Sequence, residues 1–112
     1  MTKYKIVLVP FPYDDLSATK LRPALCLTNP IGSLRHMVVA YISSKPPVAD
    51  LDSDVKLDAN HPDFGGTGLR SSSTIRLHHI ITVKSSIILR ELGKLPPSLA
   101  NEAETKIKQL FD

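Results

Sequence analysis

The sequence predicts a mainly β protein with one C-terminal α-helix, arranged as a small, strongly bent barrel or roll. Two patterns lead to this fold class. Short apolar and β-branched runs recur between turns rich in proline and glycine, which is typical of strands. Helical periodicity is clear only after residue 97. Because the chain has 112 residues, residues 1–112 are expected to form a single domain around one core.

Three strands are predicted in the first 44 residues. Residues 4–11 form the first strand, and the polar residues 12–20 form a loop. The second strand is predicted to begin at Pro23, because proline lacks a backbone N–H and belongs at the start or edge of a strand. Proline also forces Arg22 into an extended conformation. Residues 36–44 are apolar on both faces and should lie centrally in the sheet.

The second half of the chain predicts a short strand at 54–58, a glycine-rich loop at 59–69 and an alternating strand at 72–83. In that last strand Thr74, Arg76 and His78 share the polar face. Residues 87–95 fit either a strand or a helix, and their isoleucines and glycine favour a strand. Ser98 is the predicted N-cap of the closing helix. The buried stripe of that helix is Leu99, Ala103, Ile107, Leu110 and Phe111.

Composition narrows the function classes. The formal net charge of +3 weakly favours acidic or polyanionic partners. A single cysteine excludes an intrachain disulfide and indicates a reducing compartment. No signal peptide or membrane-length apolar run is present, so the protein is expected to be cytoplasmic and without a membrane partner. No zinc-type spacing, complete calcium loop or phosphate loop is found, so no metal or cofactor is expected.

Polar residues at strand ends suggest phosphate chemistry. Arg22 offers a fixed guanidinium, which suits an anion such as phosphate, although it could equally pack its stem on the barrel edge. Ser43 with Ser44, and Arg76 with His78, could converge with it on one rim. Arginine stabilises developing negative charge, and histidine can move a proton. This combination suits metal-free cleavage of RNA, in which the 2′-hydroxyl is the nucleophile.

Each of these residues also has a purely structural interpretation. Arg76 and His78 could decorate a solvated strand face, and the two serines could end a strand before Lys45-Pro46-Pro47. His79 is predicted to point away from His78, as a hydrogen-bonded core or interface residue.

The ordered segments resemble the MazF/PemK family of type II toxins. The resemblance spans nearly the whole chain, and the arginine-proline strand followed by a strand ending in serine is its most specific part. The matching segments are Ile6-Val7-Leu8-Val9-Pro10-Phe11, Leu21-Arg22-Pro23-Ala24-Leu25, Val38-Val39-Ala40-Tyr41-Ile42-Ser43-Ser44, Ser73-Thr74-Ile75-Arg76-Leu77, Ile80-Ile81-Thr82-Val83 and Leu92-Gly93-Lys94-Leu95.

The resemblance implies an SH3-like barrel of the MazF/PemK/CcdB type that forms a homodimer. It also implies an endoribonuclease (mRNA interferase) that cleaves single-stranded RNA and is restrained by an antitoxin with an acidic tail. By position, Arg22 matches the arginine at the scissile phosphate, and Ser43 matches the hydroxyl that polarises it. Ser44 takes that role if the register is shifted by one residue. Residues 12–20 match the loop that shapes substrate access.

The remaining candidate residues complete the predicted RNA site. Arg76 matches an arginine that some members use in catalysis, and it is assigned to phosphate binding together with Ser44, Lys20, Lys45 and Thr19. Position 78 is often acidic in the family, whereas here it is His78. We therefore hypothesise that His78 takes the 2′-hydroxyl proton while Arg22 and Ser43 stabilise the phosphorane.

Two other functions remain open at this stage. The first is a toxin of the same fold that inhibits a protein target such as DNA gyrase, because a fold does not fix a function. The second is a non-catalytic barrel that holds nucleic acid by phosphate contacts alone.

Overall fold

The computed structural model describes residues 2–12, 19–47 and 49–112. Within them, six strands and one α-helix form, joined in part by short 3-10 turns at Phe64–Thr67 and Ser85–Ile87. The strands make one antiparallel sheet in the order β4-β5-β3-β2-β1-β6. The elements are β1 Lys5–Pro12, β2 Thr19–Cys26, β3 His36–Ser43, β4 Asp54–Leu57, β5 Ser73–Lys84, β6 Arg90–Lys94 and α1 Pro97–Leu110.

The predicted fold class is confirmed, as are the central position of β3, the short β4 and the strand within residues 87–95. The predicted start of the second strand is wrong, because β2 begins at Thr19 and Pro23 lies inside it, opposite Leu8. Proline is tolerated there because β2 pairs with β3 only over Ala24–Cys26. From Thr19 to Pro23 one side of β2 has no strand neighbour in the described sheet, so a missing N–H breaks no ladder on that side.

Two apolar clusters cover opposite faces of the central strands. One contains Ile6, Leu25 and Ile42 and is closed by β4, β6 and Ala103 of the helix. The other is built from alternate residues of the same strands, namely Val7, Val9, Phe11, Ala24, Cys26, Met37 and Val39, with Val83 and Ile88. Because side chains alternate along a strand, a residue's position fixes which cluster it faces. Arg22 and Ser43 therefore belong to the face of the second cluster.

A large irregularity in β5 bends the sheet. The partner of β3 changes from Ile80, opposite Ala40, to Arg76, opposite Tyr41, so residues 77–79 have no β3 partner. Inserted residues of this kind increase local twist and re-aim side chains. The first part of β5 pairs with β4 at one end, while the second part closes the other apolar cluster. This bend decides where the neighbouring histidines His78 and His79 point.

The helix begins at Pro97, with Pro96 as its N-cap and no side-chain cap, so the predicted Ser98 cap is wrong. Proline suits the first helical position because its missing N–H would have no intrahelical partner there. The predicted stripe is confirmed in part, since Ala103 is buried and Leu99 and Ile107 pack on the core, whereas Leu110 and Phe111 are exposed. No helix in the described part of the chain is long and apolar enough to cross a membrane.

Candidate RNA-binding face

Arg22 and Ser43 lie on the same face of the sheet, each two residues beyond the last pair of β2 and β3, Ala24 with Tyr41. The β2–β3 ladder pairs Cys26 with Val39, Leu25 with Ala40, and Ala24 with Tyr41. Continued for two more residues, the same register would set Arg22 opposite Ser43. Both are half-buried and lie on one face of the sheet. The predicted meeting of these two side chains on one face is therefore compatible with the register.

The row of polar residues continues across β5 and β4. Ser43 pairs with Thr74, and Thr74 pairs with Lys56, so these three follow one another across β3, β5 and β4, while Arg22 lies on the same face of the adjacent strand β2. We call these four residues the polar row. Thr74 is buried and Lys56 is exposed, so the row runs from the half-buried Arg22 out to solvent at the edge strand. The sequence did not reveal Thr74 and Lys56 as members, since strand pairing is what brings them into line.

A cleft of about 270 Å³ opens at this end of the sheet. Its lining includes Ser43, Ser44, Lys45, Lys56, Ser73 and Thr74. Lys56 Nζ donates to Asp50 Oδ2 at 2.8 Å, and this hydrogen bond raises the pKa of the Lys56 ammonium. The cleft thus offers hydroxyls and ammonium groups beside the polar row, which are donors suited to phosphate and sugar oxygens.

The Ser43 hydroxyl also stabilises the turn after β3. Its Oγ accepts from the Lys45 backbone N–H at 3.2 Å and lies 3.4 Å from the Lys45 carbonyl oxygen. This matches the strand-ending interpretation of the two serines and fixes the position of the hydroxyl. Ser44, Lys45 and Lys20 are exposed at the same end of the sheet.

Part of the predicted site lies outside the described residues. Thr19 begins β2 opposite Pro12, but its side chain is not described. The predicted loop at residues 12–20 is described only at its ends, because residues 13–18 fall outside the described ranges.

Arg76 is held by a buried carboxylate. Its Nε lies 2.6 Å from Oδ1 of Asp54, whose side chain is 2% exposed. The two atoms form an ion pair without the angles of a hydrogen bond. The other oxygen, Oδ2, accepts from the Leu51 N–H at 3.1 Å. Arg76 therefore neutralises a buried charge, which is a structural task that the sequence did not predict.

His78 turns toward the β4 side of β5. Its Nδ1 lies 2.7 Å from Ser53 Oγ, and its Nε2 lies 3.5 Å from Nη2 of Arg76. It is four positions beyond Thr74 on β5, so it is displaced along the strand from the polar row. The structure brings His78 together with Arg76, as predicted, but not with Arg22 and Ser43.

His79 joins an aromatic cluster on the Arg22 face. Its ring lies 5.1 Å from the Phe11 ring and 5.2 Å from the Tyr41 ring, in edge-to-face geometry. Phe11 and Tyr41 lie 5.2 Å apart. The prediction that His79 points away from His78 agrees with these contacts. We call Phe11, Tyr41 and His79 the aromatic cluster.

No group of three or more histidine, cysteine or carboxylate side chains that could hold a metal occurs among the residues described. Asp50 instead forms an ion pair with Lys56, and Asp54 forms one with Arg76. The glycine-rich segment forms the 3-10 turn at Phe64–Thr67.

Known structures share this fold. The Mycobacterium tuberculosis toxin MazF-mt6 superposes with a TM-score of 0.70 at 23% identity, covering 96% of each chain. A mycobacterial endoribonuclease in complex with its cognate antitoxin has a TM-score of 0.71 at 12% identity, covering 99% of this chain and 94% of the other. MazF in the MazE–MazF structure from Deinococcus radiodurans has a TM-score of 0.70 at 18% identity, covering 99% and 95%. These identities support the fold alone.

The family is identified by sequence. No curated protein matches the chain. Residues 2–111, however, match the family described as PemK-like, MazF-like toxin of type II toxin-antitoxin system. The match covers almost the whole chain and agrees with the bent sheet, its strand order and its closing helix. The chain therefore belongs to the MazF/PemK family of type II toxins.

Proposed function

We propose that this toxin is a metal-independent endoribonuclease that cleaves single-stranded RNA, mRNA in particular, in the cytoplasm. The observation that carries the proposal is that Arg22 and Ser43 lie on one face of the adjacent strands β2 and β3, just beyond the end of their ladder. A guanidinium can bind both non-bridging oxygens of a phosphodiester, and a fixed hydroxyl can donate to one of them. Together they suit the trigonal-bipyramidal phosphorane that forms when RNA cleaves itself.

The proposed reaction uses the 2′-hydroxyl of the substrate. It loses its proton, the O2′–P bond forms, and the P–O5′ bond breaks as the 5′ oxygen takes a proton. The products are a 2′,3′-cyclic phosphate and a 5′-hydroxyl. Arg22 would stabilise the charge on the non-bridging oxygens and Ser43 would orient one of them, while Ser44, Lys45, Lys20 and Thr19 bind flanking phosphates.

The group that removes the 2′-hydroxyl proton stays a prediction. His78 as general base requires its ring to leave Ser53 and reach the polar row. For Arg76 to bind a phosphate, the rest of its guanidinium must contact the RNA while Nε remains paired with Asp54. Replacing His78 with alanine and finding an unchanged pH–rate profile would remove it from the mechanism.

The test is incubation of the pure protein with single-stranded RNA in EDTA. Discrete fragments that end in cyclic phosphate support the proposal, and 2′-deoxy RNA should remain intact. A shifted but uncut RNA indicates a nucleic-acid-binding barrel, and no effect on RNA indicates a toxin directed at a protein such as DNA gyrase. Ser43→Ala is the matched variant, because it removes one oxygen and keeps the strand.

We further propose an acidic cognate antitoxin and a homodimer. Two of the similar structures contain an antitoxin by name, and the exposed lysines Lys20, Lys45 and Lys56 suit an acidic segment. Copurification with the product of the neighbouring gene tests the antitoxin. Light scattering that gives twice the 12.3 kDa chain mass tests the dimer.

A further inference from the structure

We propose that Tyr41 and His79 form a stacking site for a nucleobase next to the phosphate held at Arg22. This inference rests on the proposed function and adds a base-binding site to it. The site consists of the aromatic cluster, with Phe11 as its buried support and Tyr41 and His79 as its half-buried members.

Register places the cluster at Arg22. Phe11 of β1 pairs with Lys20 of β2, and Tyr41 of β3 pairs with Ala24 of β2. A line from Phe11 to Tyr41 therefore crosses β2 midway between these partners, at Arg22. On a flat sheet the two Cα atoms would be roughly 16 Å apart, given the usual strand spacing and rise per residue. Their ring centroids are 5.2 Å apart. The two side chains therefore lean toward each other across β2, on the face to which Arg22 belongs.

The bend in β5 supplies the third ring. Residues 77–79 have no β3 partner, and within this stretch His79 turns to the face of Phe11 and Tyr41 while His78 turns to Ser53. The edge-to-face contacts of His79 with Phe11 and Tyr41 orient the plane of its imidazole.

The chemistry of the site favours a nucleobase of single-stranded RNA. Unstacked bases are bound by tyrosine, phenylalanine and histidine side chains, while basic groups follow the phosphates. Here the half-buried rings of Tyr41 and His79 lie on the same face as Arg22 and Ser43, and Ser43 lines the cleft that also contains Lys45. A base and its phosphate could thus be held at once, which would position the chain for cleavage.

The experiment measures stacking independently of cleavage. We use 2′-O-methyl oligonucleotides, which cannot supply the attacking hydroxyl, with one 2-aminopurine at the centre of degenerate flanks. Stacking on a ring quenches the fluorescence of 2-aminopurine. The inference predicts quenching with the native protein, and the same quenching with Tyr41→Phe.

Tyr41→Leu and His79→Leu keep apolar bulk but remove the flat ring. Each should weaken binding by roughly tenfold, within the range of 5- to 150-fold expected for loss of a stacked base, and should reduce quenching. Phe111→Leu is the control, since Phe111 is an exposed aromatic at the end of the helix. An oligonucleotide with an abasic site at the probe position should bind the native protein and Tyr41→Leu equally.

The outcomes separate this inference from the proposed function. RNA binding without quenching, or equal binding by Tyr41→Phe and Tyr41→Leu, overturns the stacking site and leaves the nuclease proposal untouched. Quenching without cleavage of ordinary RNA supports the stacking site and overturns the nuclease. No binding to any RNA overturns both.

Discussion

Arg22 on β2 and Arg76 on β5 are both candidate phosphate ligands by residue type, and their surroundings differ. Arg76 contacts the buried carboxylate of Asp54 and lies beside His78 and Ser53 on the β4 side of β5. Arg22 lies on the face of the second apolar cluster, which also carries Ser43 and the aromatic cluster. The comparison shows that residue type and order in the sequence do not separate a structural ion pair from a candidate phosphate site. Strand register and bending do.

The largest expected effect is on catalysis at Arg22. Arg22→Lys keeps the charge but loses the fork that binds two phosphate oxygens, so the cleavage rate should fall about 10²- to 10³-fold. Arg76→Lys should change the rate far less and lower the stability instead. Single-turnover cleavage and urea unfolding of both variants make the test. If Arg76→Lys slows cleavage as much as Arg22→Lys does and keeps native stability, Arg76 is a catalytic residue and not only a structural one.

The next effect is on stability at Arg76. Arg76→Met removes the partner of a carboxylate that is 2% exposed, which should lower the free energy of unfolding by on the order of 3 kcal/mol. Adding Asp54→Asn should recover much of the loss, because the buried charge is then gone. Urea denaturation of the two single variants and the double variant measures this. If the losses simply add, the two side chains are not a coupled pair.

A smaller effect is expected at Ser43. Ser43→Ala should slow cleavage about tenfold, less than the roughly 10²- to 10³-fold loss of a dedicated oxyanion donor, because Arg22 would still bind the same phosphate. It should also cost about 1 kcal/mol of stability, because Oγ accepts from the Lys45 N–H. Ser43→Thr should restore both. If Ser43→Thr restores stability but not cleavage, the hydroxyl at this position stabilises the turn and does not act in catalysis.

The smallest effect concerns Cys26, which lies deeper on the face of Arg22. Burial raises the pKa of its thiol to about 11, so it should resist alkylation at pH 8 in the native state. The folded protein holds this proton more tightly, so its contribution to stability is constant below pH 9 and falls as the pH rises from about 9 to 11. Fast labelling at pH 8 would show that this face opens readily.

The strands were predictable where the local pattern and the pairing agree. The apolar runs of β1 and β3 and the alternation in β5 gave their places correctly. The start of β2 was missed because proline was expected only at the end of a strand. Pro23 lies inside β2 because β3 does not pair with β2 at this residue, so no ladder hydrogen bond is lost on that side. The helix start was missed because Pro97 occupies the first turn, where a proline is as suitable as a serine cap.

The site was predictable only as a set of residue types. The sequence singled out Arg22 and Ser43, and strand alternation puts them on the same face of β2 and β3. It could not show that Asp54 lies against Arg76, since that contact depends on how β4 pairs with β5. Nor could it show that His79, rather than His78, joins Tyr41, because simple alternation fails where residues 77–79 leave the ladder.

The account is tested most directly by the cleavage rates of Arg22→Lys, Ser43→Ala and the double variant, measured on single-stranded RNA in EDTA. If both side chains hold one phosphorus atom, the double variant should lose little more than Arg22→Lys alone, because groups that act as a unit are not additive. If the two losses multiply, or if neither variant is slower than the native protein, the two residues do not act on the same phosphate.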